Sequence, residues 1–155
     1  MAEDLEITGT EQFVALAKRL NAQGKAGRGL WNELNAQMRE AAQPMTDVVK
    51  RHLSSYLPDR YAAVLRPRLT VRVSRSTKGS AAGLKLVAKA KGRSKNRHIR
   101  VINDGVLRHP VRGNMDVWVN QSVKPGFWST PLSTSREIPA TQIRRAIQRT
   151  IAKLD

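Results

Sequence analysis

The spacing of apolar residues changes at Arg66-Pro67, and this change limits the chain to a mixed fold. Before that point apolar side chains recur at helical intervals, whereas Leu69, Val71 and Val73 alternate with polar residues. Helical spacing returns over residues 143–154. A chain of 155 residues is long enough to bury one core. We therefore predict a single α+β domain over residues 1–155.

The first segment, residues 10–57, is predicted to be helical. A short helix is expected over 10–23, followed by a flexible interhelical turn at Gly24–Gly29, where three glycines interrupt the pattern. A longer amphipathic helix then runs from Leu30 to Tyr56. Pro44 lies inside it and is expected to kink or split it.

The middle segment, residues 66–120, is predicted to form a small antiparallel sheet of three to four strands. Alternation indicates strands at 69–73 and 84–90, joined as a long basic hairpin. Ile99–Ile102 is predicted to be a third strand and Val117–Val119 a fourth. The last segment, 133–154, is predicted to be an amphipathic helix that packs on the sheet.

Positive charge is concentrated in the middle of the chain. Residues 50–112 carry 17 Lys and Arg against 2 Asp and Glu, which accounts for +15 of the net charge of +16. Such an excess implies a polyanionic neighbour, because self-repulsion opposes compactness and solubility requires far less charge. Nucleic acid is the leading partner, and an acidic protein face is the second.

Most of this charge lies in residues 66–100, on or around the strands of the predicted hairpin. A cationic strand face beside an apolar core face suits a phosphate backbone, and the hairpin has no aromatic platform for stacking bases, so binding should be independent of sequence. The alternative is a solvated face that pairs with acidic neighbours in an assembly. The candidate contact residues are Arg72, Arg75, Lys78, Lys85, Lys89, Lys91, Arg93, Lys95 and Arg97.

Nothing in the sequence predicts catalysis, a cofactor or a metal site. Cysteine is absent, and no two of the three histidines have the spacing that supports zinc. The few central carboxylates, Asp59, Asp104 and Asp116, lie in contexts typical of turns and caps. The acidic N-terminus resembles no targeting signal, and no apolar run reaches the length of a membrane helix.

Three aromatic residues lie close together in the sequence near a Pro-Gly turn. Trp118, Phe127 and Trp128 are predicted to be packing or interface anchors. Core packing would explain them, and so would a subunit interface, where Trp and Phe are enriched.

Two stretches carry a resemblance to a known family. His109-Pro-Val-Arg-Gly113 and Trp118-Val-Asn-Gln-Ser-Val-Lys-Pro-Gly-Phe-Trp128, followed by a terminal amphipathic helix, resemble the head-tail connector (tail completion) morphogenesis family of long-tailed bacteriophages, in its actinobacterial form. Pro125-Gly-Phe127 occupies the place of the family's Pro-Phe-type turn. The chain departs from the family at Pro58-Asp-Arg-Tyr61, which replaces a Pro-x-x-Thr-Gly segment.

The resemblance implies a structural protein of the virion neck, assembled in the host cytoplasm. It implies a ring of six or twelve copies between the capsid portal and the tail, in contact with neighbouring connector and tail proteins and around the passage for phage DNA. It implies no enzyme activity, no cofactor and no membrane. A free, sequence-independent nucleic-acid-binding protein is the alternative that the charge distribution supports.

Overall fold

The computed structural model describes residues 5–8, 10–77, 82–91 and 96–155, with the backbone alone for 96–98. It confirms the α+β class. The elements, in chain order, are β1 (Leu5–Glu6), α1 (Gln12–Ala22), α2 (Gly24–Tyr56), α3 (Asp59–Leu65), β2 (Leu69–Ser76), β3 (Gly83–Ala90), α4 (Asn96–Asn103), β4 (Val106–Val111), β5 (Asn114–Ser122), α5 (Ser129–Ser135) and α6 (Glu137–Ala152).

The strands form two separate antiparallel sheets. In the first, β3 lies between β1 and β2, and Leu5 of β1 is opposite Leu86 of β3. The Lys91 N–H donates to the Arg68 carbonyl at 2.9 Å, where β2 and β3 begin to pair. The second sheet pairs β4 with β5, and no other strand joins it among the described residues. The connection between β2 and β3 includes 78–81, outside the described residues, so the complete basic hairpin stays a prediction.

The prediction of a flexible turn at Gly24–Gly29 is wrong, because α2 already begins at Gly24. Gly24 has φ +58°, a left-handed conformation that glycine adopts without steric cost, directly after α1. A Cβ on Gly27 would lie 1.9 Å from the Leu20 carbonyl oxygen. The glycines thus permit a sharp change of direction and a close approach between α1 and α2.

Pro44 does not split the second helix, since α2 continues through it to Tyr56. Proline removes the hydrogen bond that would be donated to the carbonyl of Glu40. Both Pro44 and Glu40 are exposed, so water can satisfy this carbonyl. The cost of the proline is therefore partly offset by solvent.

The predicted third strand is wrong: residues 96–103 form helix α4. Ile99 and Asn103 are buried, Ile102 is half-buried, and Val101 is exposed. The spacing i, i+3, i+4 places the three more buried residues on one helical face, while alternation would have paired Ile99 with Val101.

The chain divides into two compact units. The first unit holds 46–70 and 88–134, and its largest buried side chains include Phe127, Trp128 and Leu132. The prediction of a single domain is not tested by this division.

The second unit holds the described residues up to 45, together with 71–87 and 135–155. Here α6 packs against α1. Ion pairs fix the chain end, with Arg19 2.7 Å from Asp155 and Lys153 2.5 Å from Glu33.

The terminal helix is shorter than the predicted 133–154, because α5 takes residues 129–135. Thr134 donates to the Thr130 carbonyl within α5, and Arg136 is the N-cap residue of α6. Pro139 lies in the first turn of α6, where a missing N–H costs nothing.

Candidate assembly and nucleic-acid surfaces

A cationic face lies on the sheet formed by β1, β3 and β2. Side chains alternate along a strand, so the pairing of Lys91 with Arg68 places Arg72, Lys85 and Lys89 on the same face. Arg72 and Lys89 are exposed and Lys85 is half-buried. We call Arg72, Lys85 and Lys89 the basic face.

One carboxylate shares this face. Glu6 of β1 is opposite Lys85 of β3 in the antiparallel register. Opposite charges in directly opposed positions attract, although an exposed pair contributes little energy. The basic face therefore keeps a clear excess of positive charge.

Arg75 does not belong to the basic face, although the sequence predicts it as a contact residue. Alternation places it on the same side as buried Leu69 and Val71. Its guanidinium lies 4.6 Å from the centroid of the Trp31 ring and donates to the Asn35 side-chain oxygen. This cation–π contact gives Arg75 a structural role within its own unit.

The remaining predicted cations are placed only in part. Lys91 is exposed directly after β3, and its side chain continues the alternation of the basic face. Lys78, Arg93 and Lys95 lie outside the described residues, as does the side chain of Arg97.

The three predicted aromatic anchors have different environments. Phe127 is 0% exposed and Trp128 is 1% exposed, so both are core residues of the first unit. Trp118 is 39% exposed on β5. Of the two roles considered for the set, packing applies to Phe127 and Trp128, and only Trp118 remains available to a partner.

Asn103, the last residue of α4, organises the backbone around Trp128. Its side-chain oxygen accepts the N–H groups of Trp128 at 3.0 Å and Ser129 at 3.2 Å. Its backbone carbonyl accepts the N–H of Gly126 at 2.7 Å. Asn103 is 4% exposed, so these bonds satisfy groups that lack competing water.

The β4–β5 ribbon, residues 106–122, is the most exposed regular structure among the described residues. Every residue of β5 is exposed, including Met115 at 66%, Val117 and Val119. Among the described residues β5 pairs only with β4, which leaves its outer edge without a strand partner. Strand β4 anchors the ribbon in the first unit, since it contacts α4 and buries Leu107.

The pairing of β4 with β5 is irregular near the turn. Pro110 is opposite Trp118, yet the next residue, Val111, is opposite Asn114. Residues 115–117 therefore have no counterpart on β4. Pro110 has no N–H to continue the ladder, which accounts for the interruption at this point.

Local contacts connect the residues of this bulge. The Trp118 indole N–H donates to the Met115 carbonyl at 2.7 Å, and the Asp116 N–H donates to the Asn114 side chain at 2.9 Å. The Arg108 guanidinium lies 5.4 Å from the Trp118 ring centroid. The exposed Trp118 ring therefore has contacts with both Met115 and Arg108.

A cavity of about 550 Å³ lies beside the ribbon, within the first unit. One wall comes from the start of α3 and the other from the two strands and their turn. Its lining residues are Pro58, Asp59, Arg60, Tyr61, His109, Pro110, Arg112, Gly113 and Gln121. His109 contributes to this lining from β4.

Described side chains show no gathering of potential metal ligands. Within the part of the chain that is described, no three His, Asp or Glu residues lie close enough to hold an ion. The Nδ1 atoms of His52 and His109 are within 2.7 Å of the Val48 carbonyl and 3.2 Å of the Pro110 carbonyl, respectively.

The chain has no match among known protein families, curated proteins or solved structures. None of its described helices is both long and apolar enough to cross a membrane. Function is therefore inferred from the residues and surfaces described above.

Proposed function

We propose that this chain is a non-catalytic structural subunit of the neck of a long-tailed bacteriophage. It forms a ring that joins the tail to the capsid portal and surrounds the passage for DNA. The observation that carries the proposal is the β4–β5 ribbon, whose strand β5 is exposed along its whole length. Exposed apolar residues on an ordered strand are typical of a subunit interface.

The low charge of β5 supports contact between copies of the chain. Strand β5 carries a single ionisable group, Asp116, whereas β4 and the turn carry Arg108, His109 and Arg112, in a chain with a net charge of +16. Copies that are this cationic repel each other unless they meet through a surface of low charge. A head-to-tail contact through such a surface closes into a ring when its rotation is suitable.

The basic face supports a position around DNA. Its exposed cations can neutralise phosphates without reading bases, which suits a channel through which any sequence passes. Neighbouring connector and tail proteins would bind the two sides of a ring of six or twelve copies. The resemblance of 109–113 and 118–128 to the connector family supports the same assignment.

The test is to express the chain with the portal and tail-tube proteins of the phage or prophage that encodes it. Electron microscopy should find the chain as a closed ring at the junction of head and tail. A chain that never enters a ring or a particle would contradict the proposal.

A free nucleic-acid-binding protein is the second candidate, favoured by the exposure of Arg72 and Lys89. It requires tight binding to duplex DNA by monomers or dimers, with a steep dependence on salt. A neck subunit binds free DNA weakly, because its cations act together only in the ring. Measurement of DNA affinity at several salt concentrations separates the two.

A further inference from the structure

We propose that the cavity beside the β4–β5 ribbon binds one nucleotide unit, either free or within a single strand. Arg60 and Arg112 would hold the phosphate, while the rings of Tyr61 and His109 would face the base. This inference does not require the ring proposed above.

The cavity has the size and the mixed lining of a ligand site. Its volume of about 550 Å³ lies within the range of roughly 300–1,000 Å³ that is usual for small-molecule pockets. Apolar surfaces come from Pro58 and Pro110, and polar groups come from Gln121 and the charged residues. A ligand here would contact both kinds of group.

The charges of the lining favour an anion. Arg60 and Arg112 are exposed at the cavity, and neither has an ion pair or hydrogen bond from its side chain within the described structure. Asp59 is the single carboxylate in the lining, so one positive charge remains when His109 is neutral. Guanidinium groups bind phosphate through paired, charge-assisted hydrogen bonds.

The position of Arg112 is unusual for its residue type. Arg112 and Gly113 form the two-residue turn between β4 and β5, with φ of +47° and +80°. Such turns favour Asn-Gly, since a residue with a longer side chain adopts positive φ at a steric cost. An arginine in this conformation places its side chain at the cavity in spite of that cost.

The aromatic lining suits a nucleobase. The Tyr61 and His109 ring centroids are 5.9 Å apart with planes inclined at 52°, and both residues are half-buried. Each ring therefore keeps part of its surface open to the cavity. Bases stack on aromatic side chains with little dependence on sequence. A phosphate on the guanidiniums and a base on the rings together match a nucleotide.

The test uses isotope-labelled full-length chain and four ligands: inorganic phosphate, ribose 5-phosphate, thymidine monophosphate and a short oligothymidine. Saturable NMR shifts at the lining residues should be strongest with the two thymidine ligands. The monophosphate reports the free nucleotide, and the oligomer reports the strand. If ribose 5-phosphate or inorganic phosphate binds as tightly as thymidine monophosphate, the nucleotide assignment is wrong.

Matched variants identify the residues responsible. Arg60→Gln with Arg112→Gln should weaken thymidine monophosphate binding by about tenfold or more, since hydrogen bonds to charged groups are lost. Arg145→Gln with Arg149→Gln removes the same charge from exposed positions of α6 and should leave affinity unchanged. Equal losses in the two pairs would overturn the proposal.

The contribution of the aromatic ring of Tyr61 to binding has its own control. Tyr61→Phe should retain affinity, while Tyr61→Leu should lose about fivefold or more because stacking is removed. If Tyr61→Phe loses as much as Tyr61→Leu in folded protein, the stacking role is wrong. If the chain assembles into rings but binds no nucleotide, only the nucleotide proposal is wrong. If it binds nucleotide without assembling, the nucleotide proposal stands and the ring proposal is wrong.

Discussion

At the scale of single residues, Asn103 shows how one buried side chain can fix a loop. Its amide oxygen accepts the N–H groups of Trp128 and Ser129, where α5 begins. The sequence contains this residue in an Asn-Asp-Gly turn signal, but a turn signal does not tell which backbone groups the side chain will bind. That information depends on residues 25 and 26 positions away.

Replacing Asn103 with leucine should lower the free energy of unfolding by about 2–3 kcal/mol, because two N–H groups would lose their acceptor in a buried site. Chemical denaturation of the purified protein measures this. Ser133→Ala, which removes an exposed hydroxyl that donates to the Thr130 carbonyl, is the control and should cost less than about 1 kcal/mol. A leucine variant as stable as the parent protein would contradict the role of Asn103.

The aromatic residues provide a second prediction at this scale. Phe127→Ala should cost about 3–5 kcal/mol, since a fully buried ring would be replaced by a cavity. Trp118→Ser should change stability by less than about 1 kcal/mol, because the ring is on the surface. Thermal unfolding of both variants distinguishes a core role from an exposed one. Similar losses in both would refute the separation of these aromatics.

At the scale of elements, the sequence predicts those with a long and unmixed period. Helix α1 and strands β2 and β3 follow the spacing of their apolar residues. Helix α4 was missed because a run of four residues at 99–102 satisfies strand and helix patterns alike. The sequence predicts only residues 117–119 of β5. These three residues are consecutive and apolar, which is typical of a strand that is covered on both faces, whereas β5 is exposed and continues into polar residues on both sides.

The proline in α2 gives a prediction for a whole helix. Pro44→Ala should raise the free energy of unfolding by about 1–3 kcal/mol, because it restores a hydrogen bond to the Glu40 carbonyl and removes a steric clash. Denaturation with urea measures the change. Gln43→Ala, at the neighbouring exposed position, should stay within about 0.5 kcal/mol of the parent. A destabilised Pro44→Ala variant would show that the proline is needed for local geometry.

At the scale of the whole molecule, the sequence locates the excess charge but not its geometry. The basic face keeps Arg72, Lys85 and Lys89, whereas Arg75 is directed to Trp31 on α2. Alternation already places Arg75 on the same side as the apolar residues of β2. Its positive charge nevertheless led to the prediction that it contacts a partner. The cavity next to the ribbon joins residues 58–61 to residues 109–121, and no local pattern could predict that meeting.

Charge removal from the basic face tests the proposed binding of this face to DNA. Substituting glutamine for Arg72, Lys85 and Lys89 should reduce the salt dependence of duplex binding, by a slope of up to about 0.9 for each phosphate that is no longer neutralised. The same change at Arg136, Arg145 and Arg149 should have a smaller effect. Fluorescence titrations at several salt concentrations give the slopes. Equal reductions in both triple variants would mean that total charge, and not this face, governs binding.

The central claim is that copies of this chain assemble through the β4–β5 ribbon. Native mass spectrometry of the purified protein, alone and mixed with portal and tail-tube proteins, tests it most directly. A closed species with one defined number of copies is predicted, and Trp118→Ser with Met115→Ser should abolish that species while each monomer stays folded. A chain that remains monomeric in every mixture, or a ring that forms unchanged in the double variant, would contradict the claim.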